Sequence, residues 1–373
     1  MTGRTSVATT RLDNIGANLA AIRSRVGGRK VLVAVKADAY GHGAVEVARH
    51  VERTAAADWL GVATVAEGLE LRQAGVTLPV LKLSVARGDE VGAAVAAGLV
   101  LCVVDEESVL AAGAAATTLG VEAEVHLKVD TGMRRIGCEP EQAPGLAMLA
   151  DATAGVRLGG LMSHLPISDS PAGDGFTADQ IARFARTVAQ VEAARGPVPL
   201  KHLANSGGVL GHPDSWFDLV RPGIMVYGAY PDPQTPRTVQ LLPALEWRTQ
   251  VSFVKPVRAG ETVGYGRTWT APADTWIATV PVGYGDGYSR LLSNRGRMLI
   301  AGRSYAIAGR VCMDQTMLDV GPEPTVAVGD EVVLVGSSGP EEITTTEVAG
   351  LMGTIPYEVT CLINRRVGRA VTG

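Results

Sequence analysis

Residues Val31–Arg53 read VLVAVKADAYGHGAVEVARHVER. Val31–Val35 is an apolar, largely β-branched run of the length expected for a buried strand. In Ala44–Arg53, the apolar residues Ala44, Val47, Ala48 and Val51 recur at i, i+3, i+4 and i+7, the spacing of an amphipathic helix. The stretch between them, KADAYGHG, has the glycines of a turn and one lysine at the very end of the strand. Strand, turn and helix together make a βα unit.

The same alternation runs through the first two thirds of the chain. Candidate strands follow at Trp59–Ala63, Val80–Leu83, Leu99–Val104, Ala123–Val129, Leu158–Met162, Leu200–Leu203 and Leu219–Val226, which with Val31–Val35 makes eight. Helical stretches lie between most of them, among them Ala66–Gln73, Glu106–Leu119 and Ala178–Ala194. Strands alternating with helices predict a parallel sheet, and eight of them predict a (β/α)8 barrel. A doubly wound open sheet is the alternative on pattern alone. In a barrel the strand ends converge on one face, where active sites form. Here those ends carry Lys36, Thr64, Ser84, Asp105, Lys128 with Asp130, Ser163 with His164, Asn205 with Ser206, and Arg221.

Beyond Tyr230 the pattern changes. The segment PDPQTPRT is a Pro-rich break, and short strands with frequent Gly turns follow: Trp247–Val254, Thr275–Val282, Arg297–Leu299, Ala306–Ala308, Gln315–Asp319 and Glu331–Val335. This predicts a barrel over residues 1–240 and a mostly β domain over 241–373, with the first ten or so residues able to join the β domain. Thr344 and Glu347 have the spacing of a helix capping box before Val348–Met352.

Composition narrows the function. The chain has 373 residues, 46% of them hydrophobic and 19% charged, and a net charge of −4, so it has the apolar content for a sizeable core and no basic footprint for nucleic acid. No run of 18 uncharged apolar residues predicts a membrane span, and MTGRTSVATTRLDN has no apolar core of a signal peptide. Cys102, Cys138, Cys312 and Cys361 are widely spaced, which predicts free thiols of a cytoplasmic protein. His164 with Asp169 and Asp174 fits no common metal spacing.

Read singly, the chemical motifs are ambiguous. A strand-end lysine such as Lys36 more often extends its head to solvent than acts as a nucleophile, although burial would activate it. In KVDTGMRR (Lys128–Arg135), Arg135 suits a carboxylate but also a surface ion pair. A lone His164 is more often structural than catalytic. NSGG (Asn205–Gly208) and RPGI (Arg221–Ile224) offer hydroxyl and backbone N–H groups at the last two barrel loops, a common phosphate position, and are otherwise ordinary loops. Tyr265 and Tyr284, each flanked by glycines, are turn residues or acid–base groups.

Together the segments VAVKADAYGHG, KVDTGM, HLANS, RPGIMVYG, VGYGRTW, VGYGDGY, GRVCMDQ and IPYEV, in that order, resemble the alanine racemase family of fold-type III pyridoxal phosphate enzymes. The resemblance covers nearly the whole chain. It implies a (β/α)8 barrel followed by a β domain, and a head-to-tail homodimer whose sites combine the barrel of one chain with the β domain of the other. It implies a two-base racemase. Lys36 would form the Schiff base with pyridoxal phosphate and serve one face of the substrate. Tyr265, from the partner chain, would serve the other. Arg221 would hydrogen-bond the pyridine nitrogen, and His164 would bridge Arg221 and Tyr265. Tyr40, Ser206, Gly223, Ile224 and Tyr357 would hold the phosphate and cofactor. Arg135 would face the substrate carboxylate, and Met313 and Tyr284 would line the pocket and its entrance. Lys128 matches a position that many members carbamylate. The expected activity is interconversion of L- and D-alanine for peptidoglycan. The alternatives are a serine or broader-specificity racemase, a non-catalytic pyridoxal phosphate-binding barrel, and a decarboxylase, against which Arg221 argues.

Overall fold

The computed structural model describes residues 6–373. They divide into two compact units: Gly16–Val226 with Tyr230–Leu241, and the remainder up to Ile15, Tyr227–Ala229 and Leu242–Gly373.

The first unit is built on eight parallel strands: β2 (Lys30–Ala34), β3 (Trp59–Val62), β4 (Val80–Val85), β5 (Val100–Val103), β6 (Ala123–Lys128), β7 (Val156–Met162), β8 (Leu200–His202) and β9 (Leu219–Val220). The order is β8-β7-β6-β5-β4-β3-β2-β9, so each strand pairs with its sequence neighbour and β9 returns to β2. Two backbone hydrogen bonds link the ends, from the Asp218 N–H to the Lys201 carbonyl and from the Arg221 N–H to the Ala204 carbonyl. The sheet is therefore a near-closed (β/α)8 barrel, as the alternation predicts. Helices Ala44–Arg53, Val65–Gln73, Glu106–Leu119 and Asp174–Arg195 lie close to the expected spans. The last strand is much shorter than Leu219–Val226. Pro222 has no N–H to donate to the ladder, and Ile224–Tyr227 turns into a 3-10 helix instead.

The second unit holds the remaining strands: β1 (Val7–Arg11), β10 (Leu245–Gln250), β11 (Phe253–Val257), β12 (Thr262–Val263), β13 (Trp269–Thr270), β14 (Thr275–Val280), β15 (Arg297–Ile300), β16 (Arg303–Ala306), β17 (Thr316–Gly321), β18 (Glu331–Ser338), β19 (Glu341–Ile343) and β20 (Gly368–Thr372). The main sheet runs β16-β15-β18-β10-β1-β20, and a three-stranded sheet runs β11-β14-β17. Strand β1 is antiparallel to β10 and parallel to β20, so the first and last strands among the described residues are paired in this unit. Its core includes Leu245, Trp247, Val280, Met298, Leu299, Leu318 and Val333. Helix Thr345–Met352 starts as Thr344 and Glu347 foretell, with the Thr344 hydroxyl accepting from the Glu347 N–H at 3.0 Å. The Glu347 carboxylate takes Arg297 at 2.7 and 2.9 Å, so its side chain serves an ion pair with strand β15.

One local feature escaped the sequence pattern. Immediately after Lys36, Ala37, Asp38, Ala39 and Tyr40 all have φ of +52° to +55° with ψ of +38° to +52°, a turn of left-handed helix. Each such L-residue costs about 1–2 kcal/mol. The surroundings over-determine the turn. The Ala37 N–H donates to Glu67 Oε1 at 2.8 Å, and the other Glu67 oxygen accepts from Ala63 and Thr64. Asp38 Oδ1 accepts from the Ala44 N–H at 2.8 Å, tying the turn to the next helix. His42 Nδ1 lies 2.9 and 3.0 Å from the Ala39 and Tyr40 carbonyls. Strain held in this way concentrates at functional positions.

The sign of a glycine substitution tests this conformation. Ala37→Gly should leave stability unchanged or raise it by up to about 1 kcal/mol, because relief of the left-handed backbone outweighs the extra chain entropy of glycine. The same change in a right-handed helix costs about 1 kcal/mol. Urea unfolding decides, and a loss of that size would count against the left-handed turn.

Candidate active site

The carboxyl end of the barrel brings together the residues that the strand ends nominated. Lys36 leaves β2 half-buried, and its Nζ lies 5.9 Å from the centroid of the Tyr40 ring. The left-handed turn returns the chain so that Tyr40, buried, reaches the loop after β9. There the Gly223 N–H donates to the Ser206 hydroxyl at 2.9 Å. A Cβ on Gly223 would sit 2.6 Å from the Tyr40 hydroxyl oxygen, so this close approach requires glycine. Ile224 follows, buried. Two hydroxyls gathered on a glycine backbone that no side chain crowds are the kind of groups that suit a phosphate. Lys36 and Arg221 are the cationic partners that the rest of a pyridoxal cofactor needs, so the residues present fit pyridoxal phosphate.

Arg221 is buried beneath this seat, 6% exposed. Its guanidinium donates to the carbonyls of Ser163 at 2.6 Å and Leu203 at 3.1 Å, to His202 Nδ1 at 2.8 Å and to His164 Nδ1 at 3.3 Å. A guanidinium has donors and no acceptor, so Nδ1 of both histidines must accept. Each neutral ring therefore carries its proton on Nε2. Burial and the Arg221 charge hold His164 and His202 well below the ordinary histidine range, so both are neutral at pH 7. Burial pushes Arg221 itself down to about 10, which leaves it charged at neutral pH.

Lys128, at the end of β6, is also buried and donates to the Leu83 carbonyl at 3.2 Å. Burial, with the charges of Arg221, Arg135 and Lys36 around it, brings its amine down to about 8, against an opposing pull from Cys102. Asp130 does not pair with an arginine. Its carboxylate accepts from the Gly132 N–H at 2.8 Å, while Arg134 pairs with Glu139, and Arg135 is exposed.

The second unit gathers the other nominated residues. Tyr265, Tyr284 and Met313 line one open cleft of about 500 Å³ with Cys312, Asp314 and Gln315. Tyr265 stands on a turn between Gly264 and Gly266, both with positive φ, and is 72% exposed. Met313 is 53% exposed. Exposed apolar and aromatic side chains grouped in this way mark an interaction surface. Tyr357 lies in the same unit, half-buried, at the start of helix Pro356–Leu362.

Sequence reasoning missed three supporting residues. Glu67, which fixes the turn after Lys36, was announced only by its capping-box spacing to Thr64. His202 lies within the HLANS segment and was not singled out. His126 shows only as an inward position on β6.

Comparison with known proteins fits this arrangement. Residues 10–231 match the family described as alanine racemase, N-terminal domain, and residues 244–371 match alanine racemase, C-terminal domain. The chain is 54% identical over 362 residues to an alanine racemase of Cutibacterium acnes, covering 97% of this chain and 96% of that one. Its fold is like that of alanine racemase from D-cycloserine-producing Streptomyces lavendulae, with a TM-score of 0.94, 36% identity, and coverage of 100% and 98%. It is also like a histidine racemase from Leuconostoc mesenteroides, with a TM-score of 0.91, 29% identity, and coverage of 100% and 99%. With both domains matched in order and a full-length relative at this identity, the chain belongs to the alanine racemase family.

Proposed function

We propose that this protein interconverts L- and D-alanine with pyridoxal phosphate, and the observation that carries the reading is the buried, charged Arg221 held among neutral imidazoles beside Lys36 and the Tyr40–Ser206–Gly223 seat. When bound, pyridoxal phosphate acidifies the α-proton of an amino acid attached to it by accepting the electrons left on the α-carbon. Tyr40, Ser206, Gly223 and Ile224 hold the phosphate, and Tyr357 completes the cofactor seat. Lys36 anchors the cofactor and, once released, its Nζ takes or returns a proton on one face of the α-carbon. Tyr265 does the same on the opposite face through its phenolic oxygen. Removal on one face and return on the other inverts the centre. Arg221 would face the pyridine nitrogen, and because a guanidinium keeps its proton that nitrogen would stay unprotonated. This restricts how far charge spreads and suppresses side reactions such as transamination. His164, which accepts from Arg221 on Nδ1, would offer its Nε2–H toward the Tyr265 of a second copy. Arg135 pairs with the substrate carboxylate.

The unit that carries Tyr265, Tyr284 and Met313 would serve the barrel of a second copy, in a head-to-tail homodimer. Their exposure on one cleft supports this reading. Met313 and Tyr284 would then limit the side chain that fits, which favours alanine. Family resemblance supports a cytoplasmic protein that supplies D-alanine for peptidoglycan; no helix among the described residues is long and apolar enough to cross a membrane. A wider substrate range is the second reading, favoured by the histidine racemase that shares the fold over its full length. One methylene in a pocket changes preference by only about 1–3 kcal/mol.

Solvent exchange in heavy water separates the two bases. The wild type should place deuterium at the α-carbon of both alanine enantiomers, more rapidly than for serine or histidine. Tyr265→Phe should slow exchange into recovered L-alanine by about 10²-fold or more while exchange into D-alanine persists. Net racemisation must fall equally in both directions, because the equilibrium constant is one. Equal loss of exchange into both enantiomers would contradict face-specific bases. Lys36→Ala should remove the visible absorbance of bound cofactor; a band retained on another lysine would overturn the assignment.

Lys128 is the candidate for carbamylation. Its neutral amine would attack carbon dioxide, forming an N–C bond and releasing one N–H proton, which turns a positive charge negative beside Arg135. Only the unprotonated amine reacts, so at fixed carbon dioxide pressure the carbamate should increase as pH rises through about 8. A carbamate signal in ¹³C NMR under labelled carbon dioxide, absent in Lys128→Arg, is the expected result.

A further inference from the structure

The donor chain that begins at Arg221 does not stop at His202. The Nε2 of His202 lies 2.8 Å from His126 Nδ1, and both rings are fully buried inside the barrel. Since His202 accepts from Arg221 on Nδ1, its Nε2–H is the donor of this second bond. His126 then accepts on Nδ1 and carries its own proton on Nε2. That atom is buried and has no partner of hydrogen-bond geometry among the described residues. Facing it at 3.4 Å is Glu124 Oε1, a carboxylate oxygen directed at the ring's N–H edge. The second Glu124 oxygen takes Arg157 at 2.5 Å, and Arg157 also holds Glu122 at 2.7 Å. Glu122, Glu124 and Arg157 line a cavity of about 280 Å³ with Arg72.

Adjacent glycines make room for this chain. A Cβ on Gly159 would lie 2.1 Å from Glu124 Oε1, and a Cβ on Gly160 would lie 2.7 Å from His126 Nδ1. The pairing of β6 with β7 is irregular at Val125/His126, opposite these glycines. Room, register and donor direction thus agree at three successive groups.

We propose that His202, His126 and Glu124 continue a one-way donor chain running from Arg221 to the Glu124 cavity, and that Glu124 is a positioning residue for the reaction. A carboxylate oxygen facing Nε2 at 3.4 Å favours a proton on that nitrogen and disfavours a lone pair there. It therefore fixes the Nε2–H tautomer of His126, which fixes that of His202, which leaves His202 Nδ1 free to accept from Arg221. A donor in place of Glu124 permits the opposite tautomer at His126. That form would direct an N–H of His126 at the N–H of His202, and reversing His202 in turn would set its Nδ1–H against Arg221. The charged groups acting on His126 and His202 are Glu124, Arg157, Arg221 and Lys128, with the ring of Trp59 packed 5.4 Å from that of His126. The consequence for catalysis rests on the racemase reading, whereas the tautomers belong to the protein alone.

Ring-¹⁵N histidine NMR on the cofactor-loaded protein tests the chain. The wild type should show His126 and His202 as neutral Nε2–H rings at pH 7. Glu124→Gln, whose amide can donate, should give two tautomers at His126 and disturb the His202 signal. It should also lower kcat about tenfold while KM for alanine stays within about twofold. Glu122→Gln weakens the same arginine pairing without touching His126, and should leave spectrum and kinetics unchanged. Gly159→Ala, which displaces the carboxylate without removing it, is the second variant and should act like Glu124→Gln. An Nδ1–H or doubly protonated His202 in the wild type overturns the proposal, as do unchanged spectra in both Glu124→Gln and Gly159→Ala. Altered tautomers with unchanged kcat overturn the positioning role. Wild-type protein with these tautomers but no racemase activity counts against the racemase reading alone.

Discussion

A guanidinium that can only donate, buried at the mouth of a barrel, dictates the chemistry around it. Burying an unsatisfied charge is far costlier than burying a hydrogen-bonded one, and the groups to which Arg221 donates are all acceptors. Two are backbone carbonyls at strand ends and two are imidazole nitrogens. Because an arginine cannot exchange donor for acceptor, it sets the proton position on each ring that it touches. Neutral histidines of defined tautomer, a charged Arg221 and a low-pKa Lys128 follow from that constraint and from exclusion of water. The same constraint ties the active face to the polar interior of the barrel.

The second constraint is geometric. Lys36 leaves β2 at the barrel mouth, and a left-handed turn immediately redirects the chain. A right-handed helix starting at Lys36 would advance away from the loops after β8 and β9. The reversed turn instead returns Tyr40 to Gly223 and Ser206, at a local cost that the carboxylates of Glu67 and Asp38 offset. The cofactor seat therefore depends on a strained segment supported from neighbouring strands, which is the usual location for strain at a site that must hold a shape.

Much of this was legible in the amino-acid order. The alternation of β-branched runs with 3.6-periodic stretches identified the eight barrel strands, and the β-rich texture after Tyr230 identified the second unit, because periodicity is a local property. Lys36, Arg221, His164 and Ser206 stood out because their residue types are anomalous at strand ends, whereas Tyr40 was nominated by the family resemblance. Errors were local as well. Leu219–Val226 looked like a long strand, yet Pro222 ends the ladder. Thr344 and Glu347 looked like a reciprocal box, yet Glu347 is taken by Arg297, fifty positions away.

The sequence by itself determined the βα order, the β-rich second half and the list of chemically capable residues, since each is written in residue type and spacing. Only the tertiary structure decided which of them meet. His202 and His126 became partners because β8 and β6, which flank β7, placed two ring nitrogens 2.8 Å apart. Arg221 acquired its neutral neighbours because burial changes which protonation state survives. Tyr265, Tyr284 and Met313 joined one cleft because turns far apart in sequence converge on one face. Proximity and dielectric are properties of packing, and no local pattern of residues encodes them.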